Sequence, residues 1–366
     1  MGMERKGTAY LPLHYGKPPE LLYRKIVELT GQISTLICET YGTMEFIRRI
    51  SDPFWFHSLS LVTGFDWNSS GTTTTTIHAL KQYSEHHNTD FFVAGGKGKY
   101  MREKARDIKD KSQYFQSEMA AKNIVKNTDL MAKVDNNLLQ DSYDLYIHSV
   151  VLDYKGNYSV IQQGMNQKDR MARRYHWSSI HMENSLIEDR AGIESQKQAE
   201  TCLDLSSALS RDARIGIMKA IRETVPLSHG SQTTLDSFGE QKALNLSVKM
   251  PWKNIEKLYE FQPDRFEDVL LTPGIGQSTI RALCYISEVI TGAKPSYMDP
   301  IRYSYALGGK DGVPKPIDNR DYDHAIAFFG SLLRDAGFQK GERERLINKL
   351  SRESAETHTQ YLTNFH

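Results

Sequence analysis

From Glu20 to Ile50 apolar residues recur every three to four positions, at Leu21, Leu22, Ile26, Leu29, Ile33, Leu36 and Ile37. That spacing puts them on one stripe of a helix, and Gly42 interrupts it, so two helices are expected to open the chain. The stretch from Ser51 to Thr76 has no clean period. It carries Trp55, Trp67, Gly64, Gly71 and a threonine run, which predicts a loop-rich surface with apolar anchors. A short apolar strand follows at Phe91–Ala94 and passes through Gly95 and Gly96 into a charged helix. From Asp144 to Gln163, β-branched and aromatic residues flank Asp153-Tyr-Lys-Gly-Asn157, which predicts a β-hairpin. Residues 178–250 are polar and weakly patterned, with a helix over Ala208–Thr224 and a linker at Ser228–Ser237. Past Pro251 the pattern is helical throughout. The expected fold is α+β and mainly helical: a mixed domain over residues 1–245 with a β-hairpin or sheet, and a helical domain over 246–366.

Composition narrows the function. The 366 residues hold 46 Lys and Arg against 45 Asp and Glu, a net charge of +1, so a basic surface has to be local. One candidate lies between Phe91 and Lys126, where nine basic residues meet four acidic ones. No stretch approaches the roughly 18 apolar residues of a membrane span. The N-terminus shows no secretory h-region, so a soluble, cytoplasmic protein is expected. Cys38, Cys202 and Cys284 lack metal or disulfide spacing, and the twelve histidines, His86-His87 included, lack metal-ligand spacing. No metal or cofactor is called for.

The most specific motif is Leu270-Leu-Thr-Pro-Gly-Ile-Gly-Gln-Ser-Thr-Ile-Arg-Ala-Leu283. It predicts a helix over Phe266–Leu271, a turn at Pro273, Gly274 and Gly276, and a helix from Gln277 to Ile290. Glycines let a backbone come close, and the second helix offers unpaired N–H groups at its positive end, in Gly276, Gln277, Ser278 and Thr279. Such a turn suits a DNA phosphate; an ordinary helical turn is the alternative.

With its continuation, Gly292-Ala-Lys-Pro-Ser-Tyr-Met-Asp299, the motif resembles the helix-hairpin-helix DNA-repair glycosylases of the endonuclease III and adenine-mispair type. The resemblance implies that Asp299 stabilises the sugar cation or orients the attacking nucleophile. A carboxylate is suited to that charge, although Asp before Pro300 is also a common helix cap. Ser278 stands where bifunctional members carry a Schiff-base lysine, so a monofunctional enzyme is implied, with Lys310 as the alternative amine. Arg302, expected among the DNA-binding residues, follows Asp299 more closely than the family's arginine does.

A second resemblance covers most of the chain. Leu11–Lys17, Ser51–Phe56, Gly64–Gly71, Val93–Lys99, Gln162–Asn166, Ala172–Trp177 and Asp299–Tyr303 through Gly308–Gly312 are similar to the prokaryotic domain-of-unknown-function family 763. It supplies no activity. Within these segments, Asp66, Trp67, Asn68 and Ser69, with Gln162, Gln163 and Asn166, have the side chains to stack on and hydrogen-bond an extruded base. A buried tryptophan in an Asx turn is the plainer reading. Lys97 and Lys99 in a glycine-rich turn, and Arg170, Arg173 and Arg174 beside His176 and Trp177, are expected to face DNA phosphates. The preferred function is a DNA glycosylase acting on a damaged or modified base, in repair or in antiviral defence. The alternatives are a non-catalytic DNA-binding protein and a nuclease sited in the N-terminal domain, for which no carboxylate cluster is apparent.

Overall fold

The computed structural model describes residues 20–63, 70–180, 185–195, 199, 201–223 and 251–301. Asp66, Trp67, Asn68, Ser69, Arg302 and Lys310, the Ser228–Ser237 linker and the Gly308–Gly312 turn lie outside them.

Helices α1 (Glu20–Tyr41) and α2 (Thr43–Ile50) meet at Gly42, whose φ of +87° turns the chain where the apolar stripe breaks. Two more helices, α3 (Pro53–Val62) and α4 (Ser70–His86), occupy the stretch expected to be loop-rich. Their concealment has a physical cause. α3 is buried on nearly every side, so no polar face marks a 3.6-residue period, and the threonines of α4 have low intrinsic helix propensity. The start signal of α3 is nonetheless local: Asp52 caps it through Phe54 N (2.8 Å) and Trp55 N (3.3 Å), with Pro53 in the first turn.

The sheet is five-stranded and antiparallel, in the order β1 (Phe91–Lys97), β3 (Asp144–Asp153), β4 (Tyr158–Asn166), β5 (Met171–Ser178) and β6 (Gly192–Ser195). The predicted hairpin is β3–β4. Asp153 builds its turn by accepting from Lys155 N (2.9 Å) and Asn157 N (2.8 Å), and Gly156 takes φ +93°. After β1 come a 3₁₀ turn (Gly98–Glu103), α5 (Lys104–Asp110), a second 3₁₀ turn (Ser112–Tyr114) and α6 (Glu118–Lys133). α6 runs into a π-turn at Val134–Leu138 and the short strand β2 (Leu139–Gln140), which pairs with β7 (Leu203–Asp204). The remaining helices are α7 (Arg211–Glu223), α8 (Trp252–Phe261), α9 (Phe266–Leu271) and α10 (Gln277–Thr291).

Both faces of the sheet are covered. On one, Val93, Val151 and Ile161 pack with Ile37, Phe46, Ile47 and Phe56 of α1–α3. On the other, Phe92, Val150, Leu152, Val160 and Trp177 join one core with Ile217 of α7, Ile255 of α8, Val269 of α9 and Leu283 of α10. That core draws on residues from both sides of position 245. The three cysteines are buried and free, in keeping with small apolar residues. No described helix is long and apolar enough to cross a membrane.

Gly95 shows how tightly β1 meets β3. Its φ is +82°, and a Cβ there would stand 2.4 Å from the carbonyl oxygen of His148. Gly95→Ala is therefore expected to cost about 2 kcal/mol or more in urea unfolding; unchanged stability would disprove the close approach.

Candidate functional site

Along the central strands the residues change from apolar to polar, and the registers line up the change. At one end Val150, Val160 and Trp177 are neighbours; two residues on, His148, Gln162 and Tyr175 share a face, while Gln163 and Arg174 pair on the opposite one. Helices cover both faces, so these polar groups must satisfy one another.

On the face packed against α6 and the π-turn, they form a relay. Lys104 donates to His148 Nε2 (2.9 Å) and to Asp129 (2.6 Å). His148 Nδ1 is 2.9 Å from Gln162 Oε1, and Gln162 Nε2 donates to Asp135 Oδ2 (2.5 Å). Asp135 also accepts from Trp177 Nε1 and Arg190 Nε, both at 2.7 Å. Read donor to acceptor, this requires a neutral imidazole with its proton on Nδ1. Burial, aided by the Lys104 charge, holds the His148 pKa down at about 3, and burial pushes Asp135 up to about 6 against the pull of Arg190 and Trp177.

A charged triplet lies beside it. Arg173 donates to Asp141 Oδ2 (2.9 Å) and to both oxygens of Asp299 (3.3 and 2.8 Å), with its guanidinium 4.7 Å from the centre of the Tyr143 ring. Tyr175 donates to Asp141 (2.8 Å). Asp299 further accepts from Ala199 N (2.7 Å) and Ile301 N (3.3 Å). Thus a local backbone bond and an unexpected ion pair both engage the carboxylate, which is buried; the helix expected from Pro300 lies outside the described residues.

On the other face Arg174 pairs with Glu194 of β6, stacks 4.5 Å from the centre of the Phe56 ring, and donates to Thr73 (3.0 Å). Thr73 donates to Gln163 Oε1 (2.5 Å), while the Gln163 amide donates to the Ser70 carbonyl (3.0 Å) and to the Tyr146 hydroxyl. His57 lies 3.9 Å from Glu194.

These networks correct the expected surface. Arg173 and Arg174 are 1% and 0% exposed and are engaged by carboxylates, so neither faces a phosphate; β5 is an inner strand with both sides covered. Gln162 and Gln163 are likewise fully buried within hydrogen-bond chains. Arg170, at φ +54°, is exposed in the β4–β5 turn, where Asn166 accepts from Lys168 N and Asp169 N. Lys97 and Lys99 are exposed. The adjacent Gly95 amide donates to Asp107 (3.0 Å), so that amide is not free to meet an anion.

The α9–α10 turn is built as expected, with partners that sequence reasoning missed. Ile275 plugs the core and Gly274 takes φ +90°. Asn254 of α8 donates to the Gly274 carbonyl and to Thr279 Oγ1, both at 3.1 Å, and Lys257 Nζ donates to the Pro273 carbonyl (2.6 Å). Pro273, Gly274 and Ser278 are exposed, and no side chain of Gly276 exists to cap α10. Thr279 is buried, and Gln277 is turned inward: its amide donates to Asn136 O (2.6 Å), and its carbonyl accepts from Gln140 (3.0 Å). Gln140 also accepts from Arg281 (2.6 Å), and Asn137 donates to Ile275 O (3.4 Å). The segment 136–141 thus holds the turn at one end and, through Asp141, the Arg173–Asp299 pair at the other. Its own signal, a π-turn at the end of a long helix, leaves no sequence period to read. Among the described residues no three His, Cys, Asp or Glu side chains group so as to hold a metal ion.

Two stability measurements check these networks. Unfolded His148 titrates near 6.5, so between about pH 6.5 and 3 the unfolded chain takes up a proton that the folded chain refuses. Stability present above that window is lost as pH falls, by up to about 1.4 kcal/mol per pH unit. Buried His176, held well below its usual value by burial, adds the same sign, and Asp135 opposes both between about pH 6 and 4. His148→Gln should flatten the slope of unfolding free energy between pH 6 and 4; an unaltered slope would mean that His148 is charged in the fold. For the triplet, Arg173→Met strands two buried carboxylates and should cost about 3–5 kcal/mol. Asp299→Asn leaves the neutral Arg173–Asp141 pair and should cost less, roughly 1.5–3 kcal/mol; the reverse order would refute the pairing.

The residues that build these networks are drawn from positions 56 to 301, and the family model that matches the chain runs over residues 7–317. No curated protein and no solved structure matches the sequence. With most of its length matched, the chain belongs to the family described as protein of unknown function (DUF763).

Proposed function

We propose that this protein binds the sugar–phosphate backbone of duplex DNA at the Pro273–Gly276 turn. One observation carries the reading: the turn is exposed and Gly276 leaves open space where a phosphate would sit. Among the described residues a Cβ at Gly276 would meet no atom within 4 Å, and its φ of −133° is one that any residue adopts. Nothing among the described residues requires glycine at that position. A helix start without a side-chain cap has N–H groups and a positive dipole end to offer an anion. The Lys257 ammonium, on the Pro273 carbonyl, adds charge beside it.

Excision of a damaged or modified base is the enzymatic form of this reading, with Asp299 as the carboxylate. It is supported by the position of Asp299 on the frame that holds the turn, through Gln140, Asp141 and Arg173. It requires Asp299 to exchange Arg173 for the sugar when DNA docks.

Gly276→Val separates contact from folding. Stability should stay within about 0.5 kcal/mol of the parent, while duplex affinity falls about tenfold or more, a loss of roughly 1.4 kcal/mol. Equal affinity of parent and variant in an anisotropy titration would count against the turn as the binding element. Mass spectrometry of bases released from modified DNA tests excision. A wild-type protein that binds and releases none is a clamp, and one that releases a base should leave an intact abasic site, cleaved only by alkali or heat.

A further inference from the structure

The segment from Lys97 to Tyr114 has seven Lys or Arg and three Asp or Glu. In the fold two of its three acidic residues are paired. Asp107 takes Lys81 (2.7 Å) and the Gly95 amide, and Glu103 takes Arg106 (3.0 Å). Lys104 is withdrawn into the interior on Asp129 and His148. None of the ion pairs among the described residues uses Lys97, Lys99 or Arg102, and all three are exposed. The ridge thus presents Lys97, Lys99 and Arg102 to solvent outside these ion pairs.

Aromatic rings stand among these cations. Tyr100 is 46% exposed, with Lys99 Nζ 5.2 Å and Lys81 Nζ 6.0 Å from its ring centre, and Lys97 Nζ lies 5.6 Å from the ring centre of Tyr146. At the other end of α5, Tyr114 is 56% exposed. It packs edge-on against Tyr154 (5.2 Å), which stacks on buried Phe92 (5.5 Å), so its ring is propped on the core. Cations tracking a backbone and exposed rings between them are what unpaired bases on a phosphate chain require, whereas a duplex keeps its base faces stacked away.

We propose that the Lys97–Tyr114 ridge docks single-stranded DNA, with Tyr100 and Tyr114 stacking on bases and Lys97, Lys99 and Arg102 holding phosphates. It shares no residue with the α9–α10 turn and stands whether or not that turn binds duplex.

The test uses the full chain and labelled oligothymidine of twenty residues, titrated by anisotropy beside a duplex of equal length. Tyr100→Ala and Tyr114→Ala should each weaken oligothymidine binding about fivefold or more, and Tyr→Phe at either position should restore it. Lys97→Ala and Lys99→Ala should each lower the salt slope by about 0.7. Gly276→Val should leave oligothymidine binding unchanged, so failure of the turn and failure of the ridge read out separately. The proposal is overturned if the wild type does not bind oligothymidine, if both tyrosine-to-alanine variants bind as the parent does, or if polyglutamate of matched charge competes as well as unlabelled oligothymidine.

Discussion

A sheet covered by helices on both faces leaves the polar ends of its strands no water, and that constraint determines most of the site. An arginine on β5 cannot extend to solvent, so each one brings a carboxylate inside: Arg173 takes Asp141 and Asp299, and Arg174 takes Glu194. Burying an unpaired charge would cost several kcal/mol, far more than a surface ion pair returns. The pairs therefore fix where distant segments meet. Asp299 is tied to the sheet from beyond α10, and Glu194 commits β6 to its register beside β5.

The π-turn at Val134–Leu138 joins these networks to the surface. Asp135 points into the sheet and gathers Gln162, Trp177 and Arg190, while Asn136 and Asn137 accept from and donate to the α9–α10 turn. One widened turn of helix makes this possible, since successive positions then address the interior and the turn. A displacement of the turn by a bound phosphate would be felt first at Asn136 and Gln140, and next at Asp135 and Asp141, their chain neighbours.

Where backbone chemistry is local, the sequence was legible. The Asp153–Asn157 turn, the break at Gly42 and the limits of α9 and α10 each follow from residues within a few positions of one another. What was hidden depends on long-range partners. The Ala172–Trp177 segment reads as a basic surface because Asp141, Glu194 and Asp299 lie 20 or more positions away and show no spacing that marks them as partners. Helix α4 was hidden for the opposite reason: threonines that disfavour a helix locally are buried against the sheet, where Thr73 holds Gln163 and Arg174. At the turn, glycine at 274 and at 276 looked equivalent. The structure separates them, because Gly274 meets a conformational need and Gly276 does not.

That difference bears on how an excision site could be assembled from so closed an interior. The Asp141–Arg173–Asp299 triplet has one more negative charge than positive. If Asp299 turned to a sugar cation, Arg173 and Asp141 would remain as a neutral, hydrogen-bonded pair, still 2.9 Å apart and still steadied by Tyr175 and the Tyr143 ring. Release of Asp141 in its place would free a carboxylate that Tyr175 and the Tyr143 amide hold as well. Departure of either carboxylate leaves a neutral pair with Arg173, but Asp141 is also held to β5 by the Tyr175 hydroxyl. Ala199 N and Ile301 N, which also donate to Asp299, are backbone amides of chain outside the sheet. Electrostatics thus forbids Arg173 to leave and permits a carboxylate to, and the tie of Asp141 to Tyr175 of β5 favours Asp299 as the one that moves.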